Sequence, residues 1–276
     1  MKYALITGGT SGIGFAMAGE FLDRGYGVIL ASSSRKNLAI AKRKLEVKKS
    51  KIVKSTKQII IVEQDLSISG GAEKLYHKVK ALGTDVEIVV NNAGFGLLGG
   101  TESININDDK KMIQLNVTTP VCLCKLFLRD MYENGRGKIL NVASTGAFQP
   151  GPYTSTYFAS KSFLYSYSRA IRQEAAARGV IVSTLCPGTT RTKFFEKAGQ
   201  KTPIWAMSAE KTAKIAVDGL MRNRGIIVPG VINNILRTIS EYMRKQIMEG
   251  QVNTKFEIVA DVKEIKKWAS AFAECP

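Results

Sequence analysis

Seven short apolar runs, each followed by a helical pattern, leave this chain few ways to fold. They are Tyr3 to Thr7, Gly27 to Ala31, Ile59 to Glu63, Glu87 to Asn91, Lys138 to Ala143, Val180 to Leu185 and Gly225 to Pro229. Runs this uniformly apolar are buried on both faces, and the helices between them supply the two covering layers. The expected fold is therefore α/β, a doubly wound parallel sheet of about seven strands in a single domain. At 276 residues the chain is long enough to bury one such core. Residues 1–230 are assigned to it and residues 231–276 to a C-terminal helical extension. In that extension Ile232, Ile235, Leu236, Ile239, Met243 and Ile247 recur at helical spacing. Such a stripe could pack on the domain, pair subunits or rest on a membrane surface through its Arg and Lys neighbours.

Composition removes several alternatives. No segment approaches 18 uninterrupted apolar residues, the length that spans a bilayer. Met1 and Lys2 lead directly into the first strand, so no cleavable signal is expected and a cytoplasmic address follows. The four cysteines, Cys122, Cys124, Cys186 and Cys275, have no framework spacing. His77 is the only histidine and stands apart from every motif, so no metal site is expected. The formal charge of +17 is concentrated: residues 35–57 hold ten Lys or Arg against Glu46 alone, a net +9. That stretch has no aromatic side chain for base stacking, which argues against a nucleic-acid partner. It reads as a solvated helix face or as a field that attracts an anionic ligand.

Gly8, Gly12 and Gly14 lie between the first strand and the helical pattern that follows. Glycines here allow a tight bend, a close backbone approach and close helix packing, so phosphate oxygens can meet N–H groups at a helix start. Further on, Tyr157 and Lys161 fall at i and i+4 of a helical stretch free of Gly and Pro, with Cβ atoms about 6 Å apart. An ammonium at that distance favours the phenoxide and would make Tyr157 a proton donor and acceptor. Ser144 closes the fifth apolar run.

Together, Thr7-Gly8-Gly9-Thr10-Ser11-Gly12-Ile13-Gly14, Asn91-Asn92-Ala93-Gly94, Ser144, Tyr157-x-x-x-Lys161 and Pro187-Gly188 resemble the short-chain dehydrogenase/reductase family in order and spacing, over residues 2 to 230. The resemblance implies a Rossmann fold and hydride transfer between a nicotinamide cofactor and a carbonyl or secondary alcohol. Tyr157 would donate the proton, Ser144 would bond the same oxygen, Lys161 would lower the Tyr157 pKa and hold the ribose, and Asn116 would carry a water that completes the relay. A helix-bending role for Asn116 is the alternative. The cofactor is expected against Gly8, Thr10, Ser11, Gly12, Ile13 and Gly14, then Ser32, Ser33, Ser34 and Arg35 after the second strand. Asp65 and Leu66, the Asn92, Ala93 and Gly94 backbone, and Pro187, Gly188, Thr190 and Thr192 complete the set, with Tyr157 and Lys161. Asp65 with Ser67 could instead cap the helix expected at Gly70 to Leu82, and Asn91 is read as a brace for the sheet.

Ser32 stands where NAD-preferring members carry Asp, and no acid occurs from residue 24 to residue 45. NADP is thus expected in preference to NAD, with Arg35 or Lys36 binding the 2′-phosphate. Phe95-Gly96-Leu97-Leu98, Phe148-Gln149-Pro150 and a lid over 189–210 bearing Phe194, Phe195, Ile204, Trp205 and Met207 suggest an apolar ketone substrate. A homodimer or homotetramer is implied. The rival reading is a non-catalytic NADP-binding sensor or scaffold. An epimerase or dehydratase of the extended relatives would need glycines at a different spacing.

Overall fold

The computed structural model describes residues 1–49, 58–192, 206–231, 233–235 and 237–238. Every apolar run forms a strand, because Val, Ile and Leu at successive positions suit a slot between two helical layers. The strands are β1 (Lys2–Thr7), β2 (Gly27–Ser32), β3 (Ile59–Glu63), β4 (Asp85–Asn91), β5 (Gly137–Val142), β6 (Val180–Leu185) and β7 (Ile226–Ile227). They form one parallel seven-stranded sheet in the order β3-β2-β1-β4-β5-β6-β7. Strand order reverses at β1, so the crevice for a ligand opens at the C-terminal ends of β1 and β4.

The helices are α1 (Gly12–Asp23), α2 (Arg35–Lys48), α3 (Gly71–Lys80), α4 (Ile106–Ile113), α5 (Thr119–Glu133), α6 (Ser155–Ala176) and α7 (Ala209–Met221). Side chains along a strand alternate between faces. Ile6 accordingly joins the core under α1, α2 and α7 with Phe21, Leu38 and Leu220, while Leu5 joins the core under α3, α5 and α6 with Leu75, Phe127 and Ile171.

Two elements depart from expectation. The last strand is two residues long, not five, although Gly225 and Ile227 carbonyls still accept N–H bonds from Thr184 and Cys186 at 2.8 Å each. Thr190–Arg191 pairs with Met207–Ser208 as a small parallel ribbon. Helices α4 and α5 are joined through a π-helical turn, Gln114–Thr118, which contains Asn116. The domain also continues past residue 230, where Asn234 Nδ2 donates to Val228 O at 2.8 Å. Lid residues 193–205, which include Phe194, Phe195, Ile204 and Trp205, lie outside the described residues, as do Lys51, Lys54, Lys57, Cys275 and Ile232, Leu236, Ile239, Met243 and Ile247 of the apolar stripe.

At the opposite end of the sheet the β1–β4 register slips between Tyr3 and Ala4, leaving Glu87 unpaired between Val86 and Ile88. Its side chain, 6% exposed, meets Lys2 and Lys138 (3.1 Å) and accepts a bond from Tyr26 Oη at 3.1 Å. Burial alone would raise its pKa, but Lys2, Lys138 and Tyr26 outweigh it and hold the carboxyl at about 2. A depressed carboxyl stabilises the fold above its unfolded pKa and loses that contribution as pH falls toward the folded value. Stability is therefore expected to decline from about pH 4.5 to about pH 2 by about 2 kcal/mol after solvent screening of the half-exposed Lys2. Glu87→Gln should flatten that slope in denaturant titrations at pH 3 and pH 6, and an unchanged slope would exclude this carboxylate as its source.

Candidate active site

The first turn folds back on β2, where Gly8 N–H donates to Ala31 O at 2.8 Å. Gly8 and Gly12 have φ of 65° and 56°, a region that favours glycine. A Cβ on Gly12 would lie 3.0 Å from Thr192 Cγ2, so Thr192 sits directly over the turn. A Cβ on Gly14 would reach within 2.7 Å of Gly8 O. Its absence lets α1 pack closely on the turn and on Asn92 at the end of β4, whose Nδ2 that Cβ would meet even sooner. Thr10 is half-buried and Ser11 exposed at the start of α1, while Ile13 packs against the core.

The turn is tied to β4 by two residues whose importance the motif alone did not reveal. Thr7 Oγ1 accepts both the Asn92 and Ala93 N–H groups at 3.0 Å, and Asn92 Nδ2 donates to Thr7 O and Gly8 O at 2.9 and 3.2 Å. The Asn92 and Ala93 amides are thus turned inward, which corrects the expectation that this whole backbone faces a ligand. Gly94 is the exposed member. Asn91 braces the sheet as expected, its Nδ2 donating to Asn141 Oδ1 at 2.8 Å.

Gly94 forms the floor of the chemical centre. A Cβ there would lie 2.9 Å from Asn116 Oδ1 and 3.3 Å from Lys161 Nζ. Asn116 is fully buried and brackets the Phe95 backbone: Oδ1 accepts the Phe95 N–H at 3.3 Å and Nδ2 donates to Phe95 O at 2.9 Å. The same Nδ2 donates to Ser160 Oγ at 3.1 Å, which links α6 to the π turn. The wider turn carries the Asn side chain into the centre, as π turns at functional sites often do. Asn116→Ala is expected to strand the Phe95 groups and lower stability by about 1–3 kcal/mol. An unchanged urea midpoint would contradict this bracing role.

Helix α6 begins at Ser155, so Tyr157 and Lys161 do share a face. Lys161 is 4% exposed, and its Nζ donates to Val142 O at 2.9 Å and stands 5.7 Å from the Tyr157 ring centre. Burial lowers the Lys161 pKa to about 8. Tyr157 is partly exposed as a residue, yet its hydroxyl end is hemmed in by protein. Burial pushes its pKa up to about 12, opposed by a hydrogen bond with Ser144. The expected depression of Tyr157 by Lys161 is therefore overridden, because the amine is itself buried and turned to a carbonyl. Ser144 is positioned by the strand end, where its Oγ accepts the Gly146 N–H at 3.1 Å and Thr145 N–H donates to Pro187 O at 3.0 Å.

Several of the other expected residues also make bonds within the protein. Ser34 Oγ caps α2 by accepting the Asn37 N–H at 3.3 Å, while Ser33, Arg35 and Lys36 are exposed and Ser32 half-buried. Asp65 Oδ1 accepts from Ser67 N–H at 2.8 Å and Ser67 Oγ at 2.7 Å, closing its own turn. It does not cap α3, whose N-cap is Gly70. The Leu66 side chain is in the core and its carbonyl accepts Thr119 Oγ1 at 2.7 Å. Thr190 is buried and turned to Gly188 O at 3.0 Å. Asn233, which carries no motif, packs against Gly188 and donates to Pro229 O at 2.6 Å. Phe148 is 6% exposed, stacked edge-on against Tyr165, so it is core and not a pocket wall. Among the described residues no three His, Cys, Asp or Glu side chains gather as a metal site, and no helix is long and apolar enough to cross a membrane.

A glycine turn opening a helix at the switch point, where Gly8, Gly12 and Gly94 let neighbouring segments approach closer than a Cβ would allow, fits a dinucleotide laid across β1 and β4. At its far end stand a phenol, a hydroxyl and an amine, the donor set of a nicotinamide-dependent oxidoreductase. The family model for short chain dehydrogenase matches residues 2–203, and the chain belongs to that family.

Among the relatives, the mouse very-long-chain 3-oxoacyl-CoA reductase is 29% identical over 259 residues, covering 90% of this chain and 79% of its own. The chicken hydroxysteroid dehydrogenase-like protein 1 is 32% identical over 225 residues, covering 79% of this chain and 65% of its own. This chain thus spans about two thirds of the chicken protein's length. A short-chain dehydrogenase from Sphingobium yanoikuyae in complex with NADPH superposes with a TM-score of 0.80 at 23% identity, over 94% of this chain and 100% of that one. One from Burkholderia phymatum in complex with NAD gives 0.79 at 21%, over 93% and 97%. Both likenesses show the fold.

Proposed function

We propose that the protein transfers hydride between NADP(H) and a carbonyl or secondary alcohol, with an apolar ketone as the reducible substrate. The observation that carries this reading is the hydrogen bond between Tyr157 and Ser144, with Lys161 one helical turn along and the exposed Gly94 backbone beside the Lys161 amine. When bound, the nicotinamide supplies or accepts the hydride. Tyr157, kept protonated by burial, gives its phenolic proton to the carbonyl oxygen as that oxygen becomes alkoxide. Ser144 Oγ–H donates to the same oxygen and holds it within reach of the phenol. Lys161 carries a proton that is exchangeable near neutral pH, since its pKa is about 8. That proton is assigned to replace the one Tyr157 gives up, and Asn116 holds the Phe95 backbone in place through its two bonds.

The exposed Ser33, Arg35 and Lys36 at the end of β2 support NADP, because cations there suit a 2′-phosphate. The activities named for the mouse and chicken relatives make 3-oxoacyl-CoA and steroid ketones the first substrates to try. Self-association belongs to the same proposal, supported by exposed Phe163 stacked on Tyr167 on the outer side of α6. An intact Tyr, Lys, Ser and Asn set has no use in a passive sensor, so the catalytic reading is preferred. The test is a screen of NADPH and NADH against 3-oxoacyl, steroid and short-chain ketones by nicotinamide absorbance. Turnover of at least one ketone supports the reading; saturable dinucleotide binding with no turnover on the whole panel would favour the sensor.

A further inference from the structure

We infer that Glu63 sets how strongly the site discriminates between phosphorylated and unphosphorylated nicotinamide dinucleotides, an inference that rests on the cofactor reading above. The β2–β3 pairing puts Glu63 directly beside Ser32, the position where the family's NAD-preferring members carry their acid. The two strand ends are fixed to each other, since Gln64 N–H donates to Ser32 O at 2.9 Å. The acid absent from β2 is thus supplied by its neighbour, 31 residues later in the chain and invisible to a scan of the segment after the glycine turn.

From that position the carboxylate reaches α2, where Glu63 Oε1 accepts the Arg35 N–H at 3.2 Å. Arg35 is the first residue of α2, and its N–H is one that a helix start leaves without an intrahelical partner, at the end of the dipole that attracts anions. A 2′-phosphate approaching Arg35 and Lys36 must therefore displace a carboxylate from this donor and face its charge. A 2′-hydroxyl can instead donate to the same carboxylate. The Glu63 charge is not cancelled: the nearby Lys78 ammonium donates to Glu63 O at 2.8 Å and Gln64 Oε1 at 2.9 Å. Among the described residues no cation forms an ion pair with the Glu63 carboxylate. Arg35 and Lys36 pull toward NADP and Glu63 pulls toward NAD, so the wild-type preference is narrower than the serines and cations alone imply.

The test compares kcat and KM for NADPH and NADH in wild type, Glu63→Gln, Glu63→Asp and the double variant Arg35→Ala, Lys36→Ala. Glu63→Gln keeps an acceptor for the Arg35 N–H and removes the charge. It should raise the NADPH to NADH ratio of kcat/KM by about tenfold, through KM and with kcat unchanged. Glu63→Asp, which keeps the charge, should stay near wild type. A purely structural role would shift both dinucleotides together and leave the ratio alone. An unchanged ratio in Glu63→Gln while the double variant loses NADPH preference would overturn the role of Glu63 and leave the NADP reading standing. Failure of wild type to bind either dinucleotide in fluorescence titration would overturn both.

Discussion

Replacing Tyr157 with Phe should leave a folded protein that binds NADPH with nearly wild-type affinity and has lost at least about a thousandfold in ketone reduction. The ring stays, so its edge contact with Phe158 is preserved. What disappears is the phenolic proton that the developing alkoxide would receive, while the Lys161 amine is directed to Val142 O. The check is the rate of NADPH oxidation with the best ketone, alongside a fluorescence titration of NADPH. A rate within tenfold of wild type would remove Tyr157 from the chemistry.

Replacing Lys161 with Met should abolish the same activity and, at neutral pH, make the protein more stable. The amine has a folded pKa of about 8, below the 10.5 of an unperturbed lysine, because burial disfavours the ammonium. The unfolded chain therefore binds the proton more tightly than the folded one, and stability rises with pH between those values. Below pH 8 the full cost is present, about 3 kcal/mol, offset in the variant by about 1 kcal/mol for the lost bond to Val142 O. Lys161→Met should gain about 2 kcal/mol at pH 7, roughly 5 °C in Tm. The advantage should shrink as pH approaches 10.5. Thermal unfolding at pH 7 and pH 10 decides it: a variant less stable than wild type at pH 7 would mean that the buried amine is not under strain. The gain exists because a functional site holds a charge where the fold alone would prefer none.

The parallel sheet was legible because its strands are buried on both faces and read as unbroken apolar runs; Leu5 and Ile6 serve opposite cores yet look alike in sequence. The Tyr157, Lys161 and Ser144 grouping was legible for a related reason, since helical spacing and the end of a strand fix positions without long-range information. What depended on partners distant in the chain was not legible. Asp65 reads equally well as an N-cap, and only the αL geometry of Gly70 shows that α3 is capped otherwise. Phe148 reads as a pocket wall until Tyr165 is seen against it. The π turn at Asn116 has no composition of its own, because a wider hydrogen-bond ring uses the same residues as an α-helix. Glu63 was hidden by register, and Tyr157's raised pKa by burial that no local pattern reports.

The central claim is that hydride passes directly between a bound nicotinamide and a carbonyl carbon held by Tyr157 and Ser144. The most direct measurement is mass spectrometry of the alcohol formed from a ketone and NADPH carrying deuterium at both nicotinamide C4 hydrogens. The expected product carries one deuterium on the carbinol carbon when made by wild type, and none is formed by Tyr157→Phe. Alcohol lacking that label, or labelled alcohol formed by the Phe variant within tenfold of the wild-type rate, would contradict the account.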